Sequence, residues 1–380
     1  MINSVAVLGA GVMGAQIAAH FANAGVPSLL LDVTAEAAAQ GLKRAQALKP
    51  DPFFTPDTHK LISTASFDEG LTRLKDTDWI LEAVVEKLDV KRELMARLDA
   101  ARRPGSIVSS NTSGISIAAI AEGRSDDFRR HWLGTHFFNP PRYLHLLEVI
   151  PTPETDRAVL ETVIAFADRS LGKGVVVAKD SPGFIGNHLA LYGVARTLAA
   201  LDRGYTIEEI DEITGPAIGR PKSATFRTID LAGLDILAHV IRDLSQRLPD
   251  TDARATFAVP AFVEQMLGKG LVGEKAGQGF YKRVKGSGGE SEILTLDRSR
   301  LEYVPRKAPR LPSLESARTV NDIGERIKTL FNGNDRVGQF LRETLAPTLV
   351  YAAQVTPAIA HSADDVDRVM RWGFGWDMGP

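Results

Sequence analysis

The 380-residue chain contains no cysteine. This absence excludes disulfide bonds, thiolate metal ligands and cysteine nucleophiles, and it fits a reducing compartment. The chain also lacks any run of about 18 apolar residues, the length that a membrane-spanning helix needs, so no membrane contact is expected. The first predicted strand begins near Asn3, which leaves no room for a targeting peptide, and we expect a cytoplasmic location.

The chain has no excess of charge of either sign. It carries 45 basic and 47 acidic residues, for a formal net charge of -2. Nucleic-acid-binding proteins usually show a basic patch, so no nucleic-acid partner is expected. The composition, 44% apolar and 24% charged, is that of an ordinary globular protein long enough for two or three domains. No metal site is predicted.

A glycine-rich loop near the N-terminus follows a short apolar strand (residues 4–8) and precedes a predicted helix. Its first glycine permits a tight turn, the second lets the backbone approach a pyrophosphate, and the third lets the helix pack on the strand. The pyrophosphate would lie at the helix N-terminus. The residues of this loop predicted to bind a dinucleotide are Gly9, Gly11, Met13 and Gly14.

The second predicted strand, residues 28–32, ends in an acid. Asp32 lies 23 residues after Gly9, where a carboxylate would accept hydrogen bonds from the adenosine ribose. The same charge would repel a 2′-phosphate. The sequence therefore predicts NAD rather than NADP as the cofactor.

Strands and helices continue to alternate up to about residue 180, which predicts an α/β Rossmann-type dinucleotide-binding domain. Further strands are predicted at 78–85, 106–109, 131–138, 144–150 and 174–178. A polar run, residues 110–114, follows one of these strands at the edge where parallel sheets bind ligands. Ser113 or Ser116 alternatively caps a helix that starts near Ile117.

A histidine and a glutamate twelve residues apart form the predicted catalytic centre. Residues 144–150 are apolar on both pleat faces, which predicts a strand buried on both sides. A carboxylate there, Glu148, is costly without a partner, and His136 lies a short loop away. A carboxylate that orients an imidazole makes a general base. The alternative is a surface histidine beside an edge-strand glutamate.

The chain after residue 184 is mostly helical and contains an internal repeat. Residues 208–219 recur as residues 364–375, with Asp211 aligned on Asp367 and Gly219 on Gly375. We interpret the repeat as a duplicated helical domain. A chance likeness between two short amphipathic helices is the alternative.

The segments between these parts predict the domain boundaries. Residues 179–183 contain Pro and Gly and are predicted to separate two domains. The predicted connector contains a flexible glycine-rich run (286–289), a small hairpin (293–296 with 301–304) and an extended linker (305–312). We therefore predict an NAD-binding domain at 1–180, a helical domain at 181–285, a linker with a hairpin at 286–312, and a truncated second helical copy at 313–380.

Six motifs occur in order along residues 1–285: the glycine loop 9–14, Glu82-Ala-Val-Val-Glu86, Ser110-Asn-Thr-Ser113, His136-Phe-Phe-Asn-Pro140, Asp180-Ser-Pro-Gly-Phe-Ile-Gly-Asn187 and Gly277-Gln-Gly-Phe-Tyr281. Together they resemble the L-3-hydroxyacyl-CoA dehydrogenases of fatty-acid β-oxidation. The repeat resembles the larger bacterial multifunctional type, with a duplicated C-terminal domain of the 6-phosphogluconate dehydrogenase kind. A C-terminal enoyl-CoA hydratase domain often follows in those proteins, which would explain the abrupt end of the second copy.

The resemblance implies NAD-dependent oxidation of an (S)-3-hydroxyacyl-CoA to a 3-oxoacyl-CoA. It implies that His136 is the catalytic base, that Glu148 orients it, and that Ser113 and Asn187 contact the substrate's 3-oxygen. It further implies that the chain forms a homodimer or is fused to a hydratase. The other positions that it implies for cofactor binding are Glu86, Lys91, Asn111, Ser113, Asn139 and Lys275.

One segment departs from the family pattern. Monofunctional members carry a long lysine-rich helical arm that holds part of the CoA, whereas residues 49–56 here are short and rich in Pro and Phe. Contacts on that arm therefore cannot be transferred to this chain. Three other interpretations of the chain remain open. It could be a β-hydroxyacid dehydrogenase acting on a free acid, a non-catalytic NAD-binding protein of the crystallin type, or a fragment that folds but is inactive.

Overall fold

The computed structural model describes residues 2–248, 252–285 and 290–380, and the chain divides into two compact units. Unit 1 comprises Met1–Ile185 and Pro357–Gly373, and unit 2 comprises Gly186–Thr356 and Phe374–Pro380. The four-part division predicted from the sequence stays a prediction. The proposed flexible connector 286–289 lies outside the described residues.

Unit 1 is built on an eight-stranded sheet in the order β3-β2-β1-β4-β5-β6-β7-β8. Neighbouring strands are parallel, apart from the antiparallel pair β6 and β7. The strands are β1 (Val5–Leu8), β2 (Ser28–Asp32), β3 (Ile62–Ser66), β4 (Trp79–Glu82), β5 (Ile107–Ser110), β6 (Trp132–Phe137), β7 (Leu146–Pro151) and β8 (Gly174–Val177). The predicted Rossmann-type class is confirmed.

The first segment of unit 1, as far as the structure describes it, contains helices on both sides of these strands in the sequence. They are α1 (Val12–Asn23), α2 (Ala35–Gln46), α3 (Phe67–Leu71), α4 (Leu88–Ala101), α5 (Ile117–Ile120), α6 (Asp126–Arg130) and α7 (Arg157–Arg169). Strand β1 is buried along its whole length, as expected for a parallel strand covered on both faces.

Two strands differ from the sequence-based prediction. Edge strand β3 was not predicted, because Ser63, Thr64 and Ser66 interrupt its apolar pattern. Strand β4 ends at Glu82 rather than continuing to residue 85. The reason is local: the backbone N–H of Val84 donates to the Glu82 side chain, Oε1, at 2.6 Å instead of pairing with a neighbouring strand.

Unit 2 is largely helical. Its helices are α8 (Gly186–Ala200), α9 (Ile207–Thr214), α10 (Phe226–Ala232), α11 (Leu234–Arg247), α12 (Asp252–Thr256), α13 (Ala261–Gly268), α14 (Pro312–Ala317), α15 (Ile323–Phe331) and α16 (Arg336–Ile359), the last of which runs on into the second segment of unit 1. Within the described residues, no helix combines the length and apolarity needed to cross a bilayer.

The predicted hairpin is confirmed and is part of a three-stranded antiparallel sheet. Its strands are β9 (Tyr281–Lys285), β10 (Ser291–Asp297) and β11 (Glu302–Pro305), in the order β11-β10-β9. Residues 306–311 form no regular structure, in agreement with the predicted extended linker.

The two copies of the repeat form α9 and a final helix, α17 (Ala363–Phe374). Gly219 and Gly375 both adopt left-handed backbone conformations, with φ of 69° and 68°. Asp211 accepts hydrogen bonds from the backbone N–H groups of Thr225 and Phe226, at 3.0 and 2.7 Å. Burial outweighs these hydrogen bonds and raises the pKa of Asp211 to about 6.

The segment Pro357–Gly373 returns to complete unit 1. Lys179 donates from its backbone N–H to the Ile359 carbonyl at 3.0 Å and from Nζ to the Pro357 carbonyl at 2.6 Å. The Trp372 ring of α17 packs edge-on against His145, with ring centroids 5.1 Å apart. The start of β8 and the β6–β7 connection are thus covered by residues from the far end of the chain.

Candidate active site

His136 and Glu148 face each other across the antiparallel pair β6 and β7, where they are register partners. The His136 Nδ1 and Glu148 Oε2 atoms are 2.8 Å apart. Both side chains are buried, with 4% and 0% exposure. The structure therefore brings the predicted pair together, and the alternative of a surface histidine is wrong.

The second oxygen of Glu148 is also occupied. Its Oε1 accepts the backbone N–H of Ile185 at 3.1 Å. A carboxylate only accepts hydrogen bonds. The contact between His136 Nδ1 and Glu148 Oε2 therefore requires that Nδ1 carries the proton. The Nε2 lone pair of the neutral ring is then the site for proton uptake.

The His136 ring is held between two aromatic side chains. Its centroid lies 4.5 Å from that of Phe138 and 5.6 Å from that of Phe184. Phe184 is buried and has a positive φ of 49°, an uncommon conformation for a bulky residue. This left-handed residue immediately precedes Ile185, whose N–H holds Glu148. Such strain persists only where surrounding contacts impose it, which is frequent at functional sites.

The glycine loop before α1 has the form of a dinucleotide cradle. Gly9 has a φ of 103°, and a Cβ atom built on Gly14 would lie 1.8 Å from the Gly9 carbonyl oxygen. A Cβ atom on Gly11 would meet no atom within 4 Å. The first and third glycines are thus required by packing, whereas the backbone at the second faces open space at the helix N-terminus. This arrangement fits a pyrophosphate.

Asp32 lies at the end of β2 and is fixed against the same loop. Its Oδ2 accepts the backbone N–H of Ala10 at 2.7 Å, and its Oδ1 accepts that of Val33 at 2.7 Å. Each carboxylate oxygen can accept a further hydrogen bond. The side chain is therefore oriented and can still bind a ribose hydroxyl.

A buried charge cluster joins the end of β4 to α4. The Lys91 ammonium, 1% exposed, lies 2.7 Å from Glu82 Oε1 and 3.2 Å from Glu86 Oε2. Glu82 is fully buried, and its Oε2 accepts the hydroxyl of Ser110 at 2.6 Å. Lys91 thus acts first as the counter-ion of two carboxylates. Sequence reasoning missed Glu82 as a site residue, although it is an acid in an apolar strand, the same signal that marked Glu148.

Glu86 connects this cluster to the polar loop after β5. It accepts hydrogen bonds from the Thr112 hydroxyl and, at 2.9 Å, from the Ser113 backbone N–H. Burial raises the pKa of Glu86, but the Lys91 ammonium and these two donors outweigh burial and hold that pKa below its ordinary value. Ser113 is therefore placed by its own backbone contact with Glu86.

Removing the cation from this cluster should destabilise the fold. We expect Lys91→Met to lower the free energy of unfolding by about 3–5 kcal/mol, because it leaves buried carboxylates without their counter-charge. Urea unfolding measures the loss, with Lys87→Met, at an exposed lysine on the same turn, as the control. Equal stability of the two variants would contradict the counter-ion role.

Two amides lie beside these groups in unit 1. Asn111 Oδ1 accepts the backbone N–H of Phe137 at 2.8 Å, which ties the β5 loop to the strand that carries His136. Asn139 Oδ1 accepts from Gln16 Nε2 of α1 at 3.1 Å. Of the two predicted cofactor residues, Asn111 is thus linked to the strand of His136, and Asn139 is linked to the helix that follows the glycine loop.

The start of α5 is closed by side chains. Ser116 caps the helix by accepting the backbone N–H of Ala119 at 3.2 Å. Asp180 accepts the backbone N–H groups of Ile117 and Ala118, both at 2.9 Å, and the Ser116 hydroxyl at 2.8 Å. Ser116 is therefore the cap rather than Ser113, and Asp180 occupies the backbone N–H groups of Ile117 and Ala118.

A second buried lysine supports the β6–β7 connection. Lys173, 2% exposed, donates from Nζ to the carbonyl oxygens of Pro141 and, at 2.8 Å, of Leu144. Burial lowers the pKa of Lys173 to about 8. Burial and the charge of Lys173 together lower the pKa of the neighbouring His20 to about 3.

Because of Lys173, the free energy of unfolding should rise with pH in the alkaline range. The pKa of Lys173 is about 8 in the folded state and 10.5 ordinarily. At pH values between these two, the unfolded chain therefore binds more protons than the folded protein does. Stability then rises with pH through this window. Between about pH 7.5 and about pH 10, we expect the unfolding free energy to rise by about 2 kcal/mol relative to Lys173→Met. A constant difference between the two proteins across this range would contradict the prediction.

Two predicted site residues belong to unit 2. Asn187 lies in the first turn of α8. Lys275 forms an ion pair with Asp235, with Nζ and Oδ2 2.7 Å apart. The assignment of Asn187 to the substrate and of Lys275 to the cofactor stays a prediction.

Comparison with known proteins identifies both parts of the chain. Residues 4–181 match the family described as 3-hydroxyacyl-CoA dehydrogenase, NAD binding domain, and residues 183–283 match the C-terminal domain of that family. A probable 3-hydroxyacyl-CoA dehydrogenase of Deinococcus radiodurans is 47% identical over 292 residues, which cover 75% of this chain and 84% of the relative. Another of Bacillus subtilis is 45% identical over 401 residues, covering 100% of this chain and 50% of the relative.

The fold is shared with a solved structure along the whole chain. The 3-hydroxybutyryl-CoA dehydrogenase of Escherichia coli K12 superimposes with a TM-score of 0.74 at 24% identity, covering 100% of this chain and 90% of that one. The chain spans about half the length of several curated relatives that it matches. The matches to both domains and to relatives of high identity show that the chain belongs to the 3-hydroxyacyl-CoA dehydrogenase family.

Proposed function

We propose that this protein catalyses the NAD-dependent oxidation of an (S)-3-hydroxyacyl-CoA to a 3-oxoacyl-CoA, with His136 as general base and Glu148 as its orienting carboxylate. The observation that carries the proposal is the buried His136–Glu148 pair, in which both carboxylate oxygens are occupied and the ring is oriented with Nε2 as the acceptor. A base with one defined tautomer is what removal of a hydroxyl proton requires.

The residues of the chain have separate roles in this proposal. His136 Nε2 takes the proton from the 3-hydroxyl group, and Glu148 stabilises the imidazolium that forms. Ser113 and Asn187 hold the 3-oxygen and stabilise the charge that develops on it. Bound NAD would supply the acceptor for the hydride that leaves C3. The glycine loop would hold its pyrophosphate and Asp32 its ribose.

Two other functions on the same fold make different predictions. A β-hydroxyacid dehydrogenase would oxidise the free acid and would rely on a lysine of the helical unit. A non-catalytic protein of the crystallin type would bind NAD without turnover. The buried His136–Glu148 pair favours the acyl-CoA enzyme over both.

The deciding experiment compares substrates with and without CoA. Purified protein is assayed for NADH formation with (S)-3-hydroxybutyryl-CoA and with free 3-hydroxybutyrate, and each assay is repeated with NADP. We expect turnover of the thioester with NAD, and little with the free acid or with NADP. Turnover of the free acid alone, or NAD binding without any turnover, would overturn the proposal. A series of longer acyl chains then measures the chain-length preference.

We also propose a cellular setting. The absence of cysteine supports a cytoplasmic enzyme of fatty-acid β-oxidation. The chain either forms a homodimer or is the dehydrogenase part of a longer enzyme that carries a hydratase domain, as its coverage of about half of several relatives suggests. Light scattering of the purified chain separates a monomer from a dimer.

A further inference from the structure

Two exposed aromatic rings flank a single guanidinium group on unit 1. Arg142 Cζ lies 4.8 Å from the ring centroid of Phe54 and 5.1 Å from that of Tyr143. Phe54 is 58% exposed and Tyr143 is 49% exposed. We refer to these three residues as the aromatic clamp. Single exposed aromatic residues are common, but two rings around one cation form a defined recognition surface.

Hydrogen bonds hold the clamp in place. Arg142 Nη1 donates to the backbone carbonyls of Asp51 and Phe53, and the Tyr143 hydroxyl donates to the Asp51 carbonyl at 2.9 Å. The Phe54 backbone N–H donates to Asn23 Oδ1 of α1 at 2.9 Å. The rings are therefore fixed in an exposed arrangement before any ligand arrives, which lowers the entropic cost of binding.

Two cationic side chains belong to this part of unit 1, Arg142 of the clamp and Lys173. Within the described residues, neither Arg142 nor Lys173 forms an ion pair with a carboxylate. Both charges lower the pKa of His20, after the larger effect of burial. Arg142 has five N–H donors, of which only those on Nη1 bond the neighbouring backbone carbonyls. The clamp thus combines stacking surface with donors for an anion.

The clamp is close in sequence to the proposed catalytic base. Arg142 lies six residues after His136 and six before Glu148, in the connection between β6 and β7. Six residues span at most about 20 Å, so one elongated ligand can reach both places. It would need a reactive group at one end and a planar, anionic group at the other.

We propose that the aromatic clamp binds the nucleotide end of the acyl-CoA substrate. The adenine ring stacks on Phe54, the more exposed of the two rings, and the Arg142 guanidinium binds a phosphate group, as the planar donor pattern of arginine favours. This inference rests on the proposed function. It also assigns a role to the segment 49–56, in which Phe54 lies.

The test compares two substrates that differ only in the nucleotide. Phe54→Leu keeps an apolar side chain and removes the ring. Because stacking of one base contributes about 1–3 kcal/mol, we expect the KM for the 3-hydroxyacyl-CoA to rise by about 5- to 150-fold. The KM for the matching pantetheine thioester, which lacks the nucleotide, should show no such rise. Leu61→Ala, another exposed apolar residue of unit 1, serves as the control and should change neither value.

The outcomes separate the two proposals. If the wild-type protein turns over neither thioester, the proposed function fails. If it turns over both and Phe54→Leu raises the two KM values equally, or neither, the clamp is not the nucleotide site. Calorimetric titration with coenzyme A itself tests the clamp without turnover. We expect weaker binding in Phe54→Leu and in Arg142→Gln than in wild type, and unchanged affinity in both variants would overturn the inference.

Discussion

Protein in which alanine or asparagine replaces His136 is expected to oxidise a 3-hydroxyacyl-CoA about 10²–10⁴-fold more slowly than wild type, because a positioned general base contributes a factor of this size. The loss should fall on kcat. NAD affinity, measured by titration of the protein with the cofactor, should stay close to the wild-type value, since the glycine loop and Asp32 are untouched.

The two substitutions differ in what they leave behind. Alanine removes the donor to Glu148 and leaves that buried carboxylate with one hydrogen bond fewer, so it should also reduce stability. Asparagine places an amide nitrogen near the position of Nδ1 and can still donate to Glu148, but it supplies no base. Equal loss of kcat in both, with higher stability for asparagine, supports a catalytic role. His361→Ala, at an exposed histidine of unit 1, is the control. Wild-type turnover in His136→Asn would refute the assignment.

Glu148→Gln should be nearly as damaging, for a reason that only the structure shows. Glu148 accepts from His136 Nδ1 at one oxygen and from the Ile185 N–H at the other. A glutamine side chain has one acceptor oxygen and one NH2 donor, so it cannot satisfy both. If the oxygen faces Ile185, the NH2 group faces Nδ1 and the proton of the ring moves to Nε2. The base then carries its proton on the nitrogen that should accept one.

We expect kcat of Glu148→Gln to fall by about 10²–10⁴-fold, a range set by general-base catalysis and by the known cost of a wrong histidine tautomer. Steady-state kinetics measures the loss, and nitrogen NMR of labelled histidine reports the tautomer. Glu148→Asp, which keeps the charge but shortens the side chain, should retain more activity than the glutamine variant. A glutamine variant with near-normal kcat would show that orientation by Glu148 is dispensable.

Local patterns in the sequence predicted the parts of the site that depend on chain neighbours. The glycine spacing predicted the loop, because Gly9 has a positive φ and Gly14 lies against the Gly9 carbonyl within the same loop. The apolar pattern around Glu148 predicted a doubly buried strand, and all residues from Leu146 to Ile150 are buried. The nearness of His136 then followed from a short connection.

Contacts between distant residues could not be predicted in this way. The Ile185 N–H reaches Glu148 from 37 residues away, and Lys173 reaches Leu144 from 29 residues away. No periodicity links such positions, because their separation depends on how whole strands and helices pack. The same holds for strand β3, whose mixed composition gives no alternating signal although it pairs along its full length with β2.

The return of Pro357–Gly373 to unit 1 has a consequence for biosynthesis. A ribosome makes the chain from its N-terminus, and domains generally fold as units while they emerge. Here the eight-stranded sheet is complete once Val177 has been made, but the residues that cover its β8 side follow only after all of unit 2 up to Thr356. During that interval the surface that Trp372 later covers, including the His145 ring, is open to water and to other chains, so unit 1 cannot be completed until the chain has been made as far as Gly373.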